Sequence, residues 1–209
     1  GRVVATARKA EAVADIVAGS DGRAIGVALD VTRPEQVADA VAKAEAFGGI
    51  DVLFNNPGYG FMGGVEECGQ DEIAAQMDVN FFGAVDVIRK ALPGMRARGS
   101  GYIVNVSSIT GVKGFVGAGY YSASKFALEG LSEALAADIK PFGLGVMIVE
   151  PGPFRTEFAG RSIMQTATPH PDYPHLVKQR EFLGQSDGRQ AGDPAKAVAA
   201  IVSTLDAEE

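Results

Sequence analysis

An α/β fold built on a parallel sheet is predicted by three observations. Short apolar runs alternate with longer helical stretches, Gly and Pro punctuate the joints, and no internal repeat or low-complexity tract interrupts the pattern. A chain of 209 residues, 46% hydrophobic and 22% charged, is the size of one globular domain with a sizeable core.

The elements follow in order. Val3 to Thr6 and Ala24 to Leu29 have the composition of short buried strands, and an Ala-rich helical stretch over about Lys9 to Ala18 separates them. Pro34 suits the first turn of a helix with Asp30 and Thr32 ahead of it, and Gly48-Gly49 stops that helix after Phe47. Ile50 to Asn55 is the next strand. Asp71 to about Arg98 is expected as one long helix that Pro93 bends or ends. Gly101 to Ser107 then forms a strand, Tyr120 to Ile139 a helix, and Leu144 to Glu150 a strand broken by Pro151-Gly152-Pro153. Residues 157 to 192 are expected to be irregular, and a loop of that length in a compact domain reads as a lid over a site. Pro194 opens a last helix.

Charge and composition exclude several classes of function. A net charge of -7 and a pI near 4.9 oppose a phosphate-binding surface for nucleic acid. Cys68 is the single cysteine, so neither a disulfide frame nor a thiolate metal cluster is available. His170 and His175 stand in a Pro-rich segment without a third ligand type beside them, so no metal site is expected. No apolar run approaches the roughly 18 residues of a membrane span, and the start lacks the order of a signal peptide. The expectation is a cytoplasmic protein.

One local pattern specifies a chemistry. Tyr121-Ser122-Ala123-Ser124-Lys125 places a phenol and an ammonium four residues apart, neighbours on one face of a helix. A phenol titrates near about 10 and is a poor base at neutral pH until a positive charge stabilises its ionised form. Lys125 is placed to supply that charge. Ser108, thirteen residues before Tyr121 at the end of Tyr102-Ile103-Val104-Asn105-Val106-Ser107-Ser108, is placed to donate a hydrogen bond to a substrate oxygen. A Tyr-x-x-x-Lys pair alone is common on helices with no function. Here it is joined in order by Asn55-Asn56-Pro57-Gly58, Asn80 and Pro151-Gly152 with Thr156.

On that ordered set the sequence resembles the short-chain dehydrogenase/reductase family from about Arg2 to Ala200. Gly58-Tyr59-Gly60 and Pro153-Phe154-Arg155-Thr156-Glu157 look like its hydroxysteroid and retinol dehydrogenase-like branch. The resemblance implies a single domain with a Rossmann-like, doubly wound parallel sheet. It also implies hydride transfer between a nicotinamide dinucleotide and a carbonyl or secondary alcohol, with Tyr121 as general acid/base. Ser108 would stabilise the substrate oxygen. Lys125 would lower the Tyr121 pKa and bond the nicotinamide ribose, and Asn80 would hold a water for proton relay. Asp30 and Val31 would flank the adenine, Asn55, Asn56 and Gly58 would shape the loop against the adenosine ribose, and Thr156 after Pro151-Gly152 would hold the carboxamide. Pro57 departs from the family's usual Ala and removes a backbone donor there.

Ala7-Arg8 offers a cation and no acid where an NAD enzyme carries a carboxylate, so NADP(H) is favoured over NAD(H). Phe154, Phe158, Ile163, Met164, Tyr173 and Phe182, with Tyr59, Phe61 and Met62, suggest an apolar substrate pocket. Tyr120 is assigned to packing beside Ser124, and Ser107 to a structural part. Helices 71 to 98 and 120 to 139 resemble those through which family members form dimers and tetramers. The chain opens on what resembles the family's second strand, so the expectation is one incomplete at both ends, without the first strand, its Gly-rich phosphate loop and the last strand. The alternative is a non-catalytic nucleotide- or partner-binding protein on the same scaffold.

Overall fold

Ile103, Val104 and Asn105 are consecutive and fully buried, which an alternating strand of an exposed sheet never shows. They belong to β5 (Gly101–Val106), which lies between β3 (Val52–Asn55) and β6 (Leu144–Val149), all parallel. The register sets Asn55 beside Asn105 and Val106 beside Val149, so the C-terminal ends of the three strands come level. These features belong to a computed structural model that describes residues 1–160 and 162–207.

Two further parallel pairs complete the strand set. β1 (Val3–Ala7) pairs with β2 (Ala24–Ala28), and β4 (Gly60–Met62) pairs with β7 (Ile163–Gln165). Among the described residues, β1 and β3 share no strand pairing, so the main strands form two hydrogen-bonded groups. Val52 and Phe54 on β3 and Val3 on β1 are correspondingly about half exposed. Helices flank these strands in a Rossmann-like, single-domain arrangement.

The principal core joins helix α2 (Pro34–Ala46), α4 (Ala84–Arg98) and α5 (Gly119–Ile139) to β5 and β6 through Ala44, Ile88, Met95, Ile103, Leu135 and Leu144. A buried polar chain crosses the same layers. Asn55 Nδ2 donates to Ala84 O at 3.1 Å and to Asn105 Oδ1 at 3.1 Å; Asn105 Nδ2 donates to Ser132 Oγ at 2.8 Å; Ser132 Oγ donates to Leu128 O at 2.6 Å. Buried amides are stable only when paired, so this chain specifies how α4 and α5 sit on β3 and β5.

Three expectations are corrected here. The helix over 71 to 98 is divided into α3 (Gln70–Met77), a π-helical turn (Asp78–Gly83) and α4, because an extra residue is accommodated at 78–83 without breaking the rod. Pro93 lies inside α4 and does not end it. The stretch 157 to 192 is not irregular: it holds β7 and a helix, α6 (Pro174–Gln185), whose first turn accepts Pro174 at no cost in hydrogen bonds. The first helical stretch is a 3-10 turn (Ala10–Val13) running into the short α1 (Ala14–Ala18), and the last is α7 (Pro194–Ala207). No helix among the described residues is long and apolar enough to cross a membrane.

Met95 has no exposed surface and its Sδ-methyl end fills the space beside Gly101. Met95→Ala is expected to cost about 2–5 kcal/mol, the range for deleting a large core side chain. Urea unfolding should show a lower midpoint at unchanged slope.

Candidate active site

Every strand of the two main groups ends at a residue singled out in the sequence. Arg8 follows β1, Asp30 and Val31 follow β2, Asn56 and Gly58 follow β3, Ser108 follows β5, and Pro151 and Gly152 follow β6. Crevices beyond the carboxyl ends of parallel strands are where such sheets bind ligands.

Tyr121 and Lys125 rise one turn apart on α5, 7% and 4% exposed. Ser108 begins the turn after β5, its Oγ accepting from Thr110 N at 3.2 Å, and its hydroxyl lies close enough to the Tyr121 phenol to act on its titration. Burial pushes the phenol above its ordinary value, and the Ser108 and Thr110 hydroxyls pull it partly back. The lowering expected from Lys125 is not among these influences, and desolvation sets the direction in this structure. Lys125 Nζ donates to Val106 O at 2.8 Å, and burial draws the ammonium down to about 8 against the opposing charge of Glu129.

Asn80 lies in the π turn, wholly buried. Its Oδ1 accepts from Tyr59 N at 3.1 Å, while Nδ2 donates to Tyr59 O at 3.0 Å and to Ser124 Oγ at 3.3 Å. The amide thus clamps the backbone that follows Gly58 and ties it to α5; Gln76 Nε2 adds a bond to Tyr59 O at 3.2 Å. Gly58 has φ +152, and a Cβ there would stand 3.3 Å from Asn80 Oδ1 and 3.5 Å from Lys125 Nζ. Glycine keeps that cradle open and adopts a backbone other residues resist.

The remaining residues are more dispersed. Pro151 O accepts from Ile109 N at 3.1 Å, fastening the end of β6 to the Ser108 turn. Thr156 is exposed, and its Oγ1 accepts from Phe158 N at 3.3 Å; Phe158 is itself 38% exposed. The Phe158 and Tyr121 rings stand 5.8 Å apart between centroids. Asp30 is lowered by two hydrogen bonds from Thr32 and, more weakly, by the charges of Arg33 and Arg8. Val31 packs against Gly83, beside a surface cavity of about 280 Å³ also lined by Thr32 and Phe82.

Tyr120 departs from its expected pairing with Ser124: its hydroxyl donates to Val65 O at 3.1 Å, and Ser124 Oγ donates to Tyr121 O. Ser107 Oγ and Glu129 Oε1 converge beside Gly111, buried. Thr110, Glu129 and Gln76 were not singled out in the sequence. Glu129 alone carried a signal, four residues beyond Lys125 on the same face. A larger group outside the motifs surrounds Glu67, whose side chain is fully buried and paired with Arg180 at 3.0 Å. Beside it, Cys68 Sγ donates to Gly64 O at 3.1 Å. Burial, with Glu72 and Glu67 nearby, pushes this thiol up to about 11.

Arranged in this way, a buried phenol with a hydroxyl partner, a neighbouring amine and an aromatic roof defines a site for moving a proton to or from an oxygen. A family model described as short chain dehydrogenase matches residues 1–166, and the chain belongs to that family. The chain is 40% identical over 182 residues to a 3-ketodihydrosphingosine reductase of Bacteroides thetaiotaomicron, covering 86% of this chain and 68% of that protein. It is 40% identical over 170 residues to human retinol dehydrogenase 8, covering 79% of this chain and 54% of the relative, about half its length. Among solved structures, a short-chain dehydrogenase from Streptomyces avermitilis superposes with a TM-score of 0.90 at 43% identity, covering 98% of this chain and 75% of that one. ElxO with NADP bound superposes at 0.70 and 32% identity, covering 75% and 65%.

The Lys125 ammonium is destabilised by folding, so its pH signature has a definite sign. Its folded pKa of about 8 lies below the model-compound value of 10.5, so the unfolded chain binds more protons between those values and stability rises with pH there. The rise is expected to reach up to about 3 kcal/mol. Urea unfolding across that window, with Lys125→Met for comparison, should show the rise in the unsubstituted protein and its loss in the variant.

Proposed function

We propose that this short-chain dehydrogenase is an NADP(H)-dependent oxidoreductase that interconverts a carbonyl and a secondary alcohol on a small apolar compound. The carrying observation is the convergence of three buried groups, the Ser108 hydroxyl, the Tyr121 phenol and, one turn away on α5, the Lys125 amine, with the Phe158 ring against the phenol. Two relatives are named for reducing a keto compound and for oxidising retinol, and ElxO carries NADP, which supports both halves of the reading.

The residues present fit the nicotinamide and adenosine portions of such a cofactor. The cradle kept clear at Gly58 lies against Asn80 and Lys125, and the cation Arg8, whose charge also reaches Asp30, follows β1 with no acidic residue beside it in sequence, suited to a 2'-phosphate. Asp30 and Val31 would border the adenine, Asn56 and Gly58 the ribose, and Gly152 and Thr156 the carboxamide. A bound nicotinamide supplies or accepts the hydride. The chain's own work is proton chemistry: Tyr121 protonates the alkoxide that develops from a carbonyl, or takes the alcohol proton in reverse. Ser108 donates to the same oxygen and favours its charged form. Lys125, as an ammonium, draws the phenol toward ionisation when substrate reaction demands it, and Asn80 fixes the loop and helix that flank the amine. Phe158 excludes water from above.

A homodimer or homotetramer through α4 and α5 accords with Phe82 and Phe126, which remain 56% and 47% exposed. The net charge is negative, so neutral apolar substrates are favoured over anionic ones.

Tyr121→Phe is expected to lower turnover by at least about 10³-fold while NADPH binding, followed by fluorescence titration, stays within about twofold. Substantial residual turnover would remove Tyr121 from its role. Tight NADPH binding by the unsubstituted protein without turnover on a broad carbonyl panel would favour a non-catalytic binder instead. The KM for NADPH is expected to be at least about tenfold below that for NADH, and Arg8→Ala should erase the difference, since an exposed cation on a phosphate contributes on that order. Equal constants in the unsubstituted protein would overturn the cofactor preference.

A further inference from the structure

The roof over Tyr121 is held by carboxylates from one short stretch of chain. Glu67 receives Arg180 in a fork, Nη1 to Oε2 at 3.0 Å and Nη2 to Oε1 at 3.5 Å, with the two side chains 0% and 7% exposed. The same carboxylate accepts from Gly64 N at 2.7 Å and from His170 N at 2.9 Å, so both oxygens are fully committed. Its backbone carbonyl accepts from Thr166 Oγ1 and Thr168 Oγ1, each at 3.0 Å. Burial acts to raise the Glu67 carboxyl, but Arg180 and the two N–H donors overrule it and hold the group down to about 2. It is therefore ionised at every physiological pH.

This cluster lies at one end of the roof and the site at the other. β7 joins them: Gly60 N donates to Ser162 O at 2.9 Å, Thr166 N donates to Met62 O at 2.9 Å, and Phe158 lies against Gly60 and the Tyr121 ring. The strand pairing there is only three residues long, too short to hold the segment by itself. None of the principal core residues comes from the roof. A guanidinium and a carboxylate buried as a pair behave as a unit, because either one left alone in that setting must regain water, and α6 has to move for it to do so.

We propose that Glu67 and Arg180 are positioning residues, a latch that holds residues 157–185 down on the sheet, sets Phe158 over Tyr121 and so fixes how substrate is gripped. The effect on substrate rests on the reductase reading above; the effect on the roof does not. The latch gives the site a closed wall whose release changes substrate binding before it changes the proton chemistry at Tyr121.

The test pairs steady-state kinetics with hydrogen–deuterium exchange, using NADPH and 4-phenylbutan-2-one as the probe ketone. Arg180→Met, Glu67→Gln and their combination are compared with Arg180→Lys, which keeps the charge and loses the fork. For either single variant, exchange in residues 157–185 is expected to rise by about tenfold or more while that of β3, β5 and β6 is unchanged, as for opening of a local unit. KM for the ketone should rise by about tenfold with kcat within about threefold and NADPH affinity unaltered. The combined variant should be no worse than the more damaged single one, and Arg180→Lys should recover part of the loss. Unchanged exchange in the roof for both single variants overturns the latch. So does loss of protection across β3, β5 and β6 together, which would make the pair a determinant of the whole fold, or a fall in kcat at constant KM. If the unsubstituted protein reduces no ketone yet roof exchange responds as stated, the reductase reading fails and the latch stands.

Discussion

The buried chain from Ala84 O through Asn55, Asn105 and Ser132 to Leu128 O is the constraint on which the site depends. It is the place where α4, β3, β5 and α5 are tied by directional bonds rather than by packing alone. Apolar contacts tolerate sliding, whereas a buried amide that loses its partner is left unsatisfied at a cost of about 1–3 kcal/mol. Ser108 ends β5, and Tyr121 and Lys125 stand on α5. Their spacing is therefore fixed by a bond made three strand positions and two helical turns away, between Asn105 and Ser132. Lys125 reinforces the arrangement by donating to Val106 O, so its ammonium also closes the seam.

Within this frame, the site is electrostatically under tension. Tyr121 and Lys125 are both pushed toward neutrality by burial, the phenol upward and the ammonium down to about 8. Their ordinary values of 10.0 and 10.5 nearly coincide, and folding draws them apart, so the phenol holds its proton more firmly while the amine gives one up more readily. Glu129, buried one turn beyond Lys125, opposes that drift by favouring the ammonium. The three residues form a line of acid, amine and phenol along one face of a single helix, which the 3.6-residue period produces from a spacing of four.

Most of this was legible in the sequence because it is local. The strands β1, β2, β3, β5 and β6 are short apolar runs, α5 carries its chemistry at helical spacing, and Gly58 announces a backbone that needs no side chain. What escaped depends on partners far apart. The π turn over Asp78–Gly83 has no compositional mark, since Asp78-Val79-Asn80-Phe81-Phe82 continues a helical pattern and the extra residue is stabilised by Asn80 clasping Tyr59. β4 and β7 are three residues each and form only as a pair separated by about a hundred positions. The Glu67 and Arg180 contact likewise spans 113 residues, and in sequence each reads as an ordinary surface charge. The substrate segment looked irregular because Pro, Gly and His interrupt it, yet Pro174 begins α6 where a proline is tolerated.

The carboxylates that pin the roof also shape the environment of the only cysteine. Cys68 lies between Glu67 and Glu72 with its Sγ turned to Gly64 O, and its thiol is raised to about 11. Nucleophilic attack on peroxide or on a disulfide requires the thiolate, which at neutral pH is then a fraction on the order of 10⁻⁴ of the population. The fold thereby shields its one sulfhydryl from oxidants first by burial, with the two carboxylates adding to the effect. Activity measured under oxidising and reducing conditions should be the same, and the protein needs no reductant to stay intact at that residue.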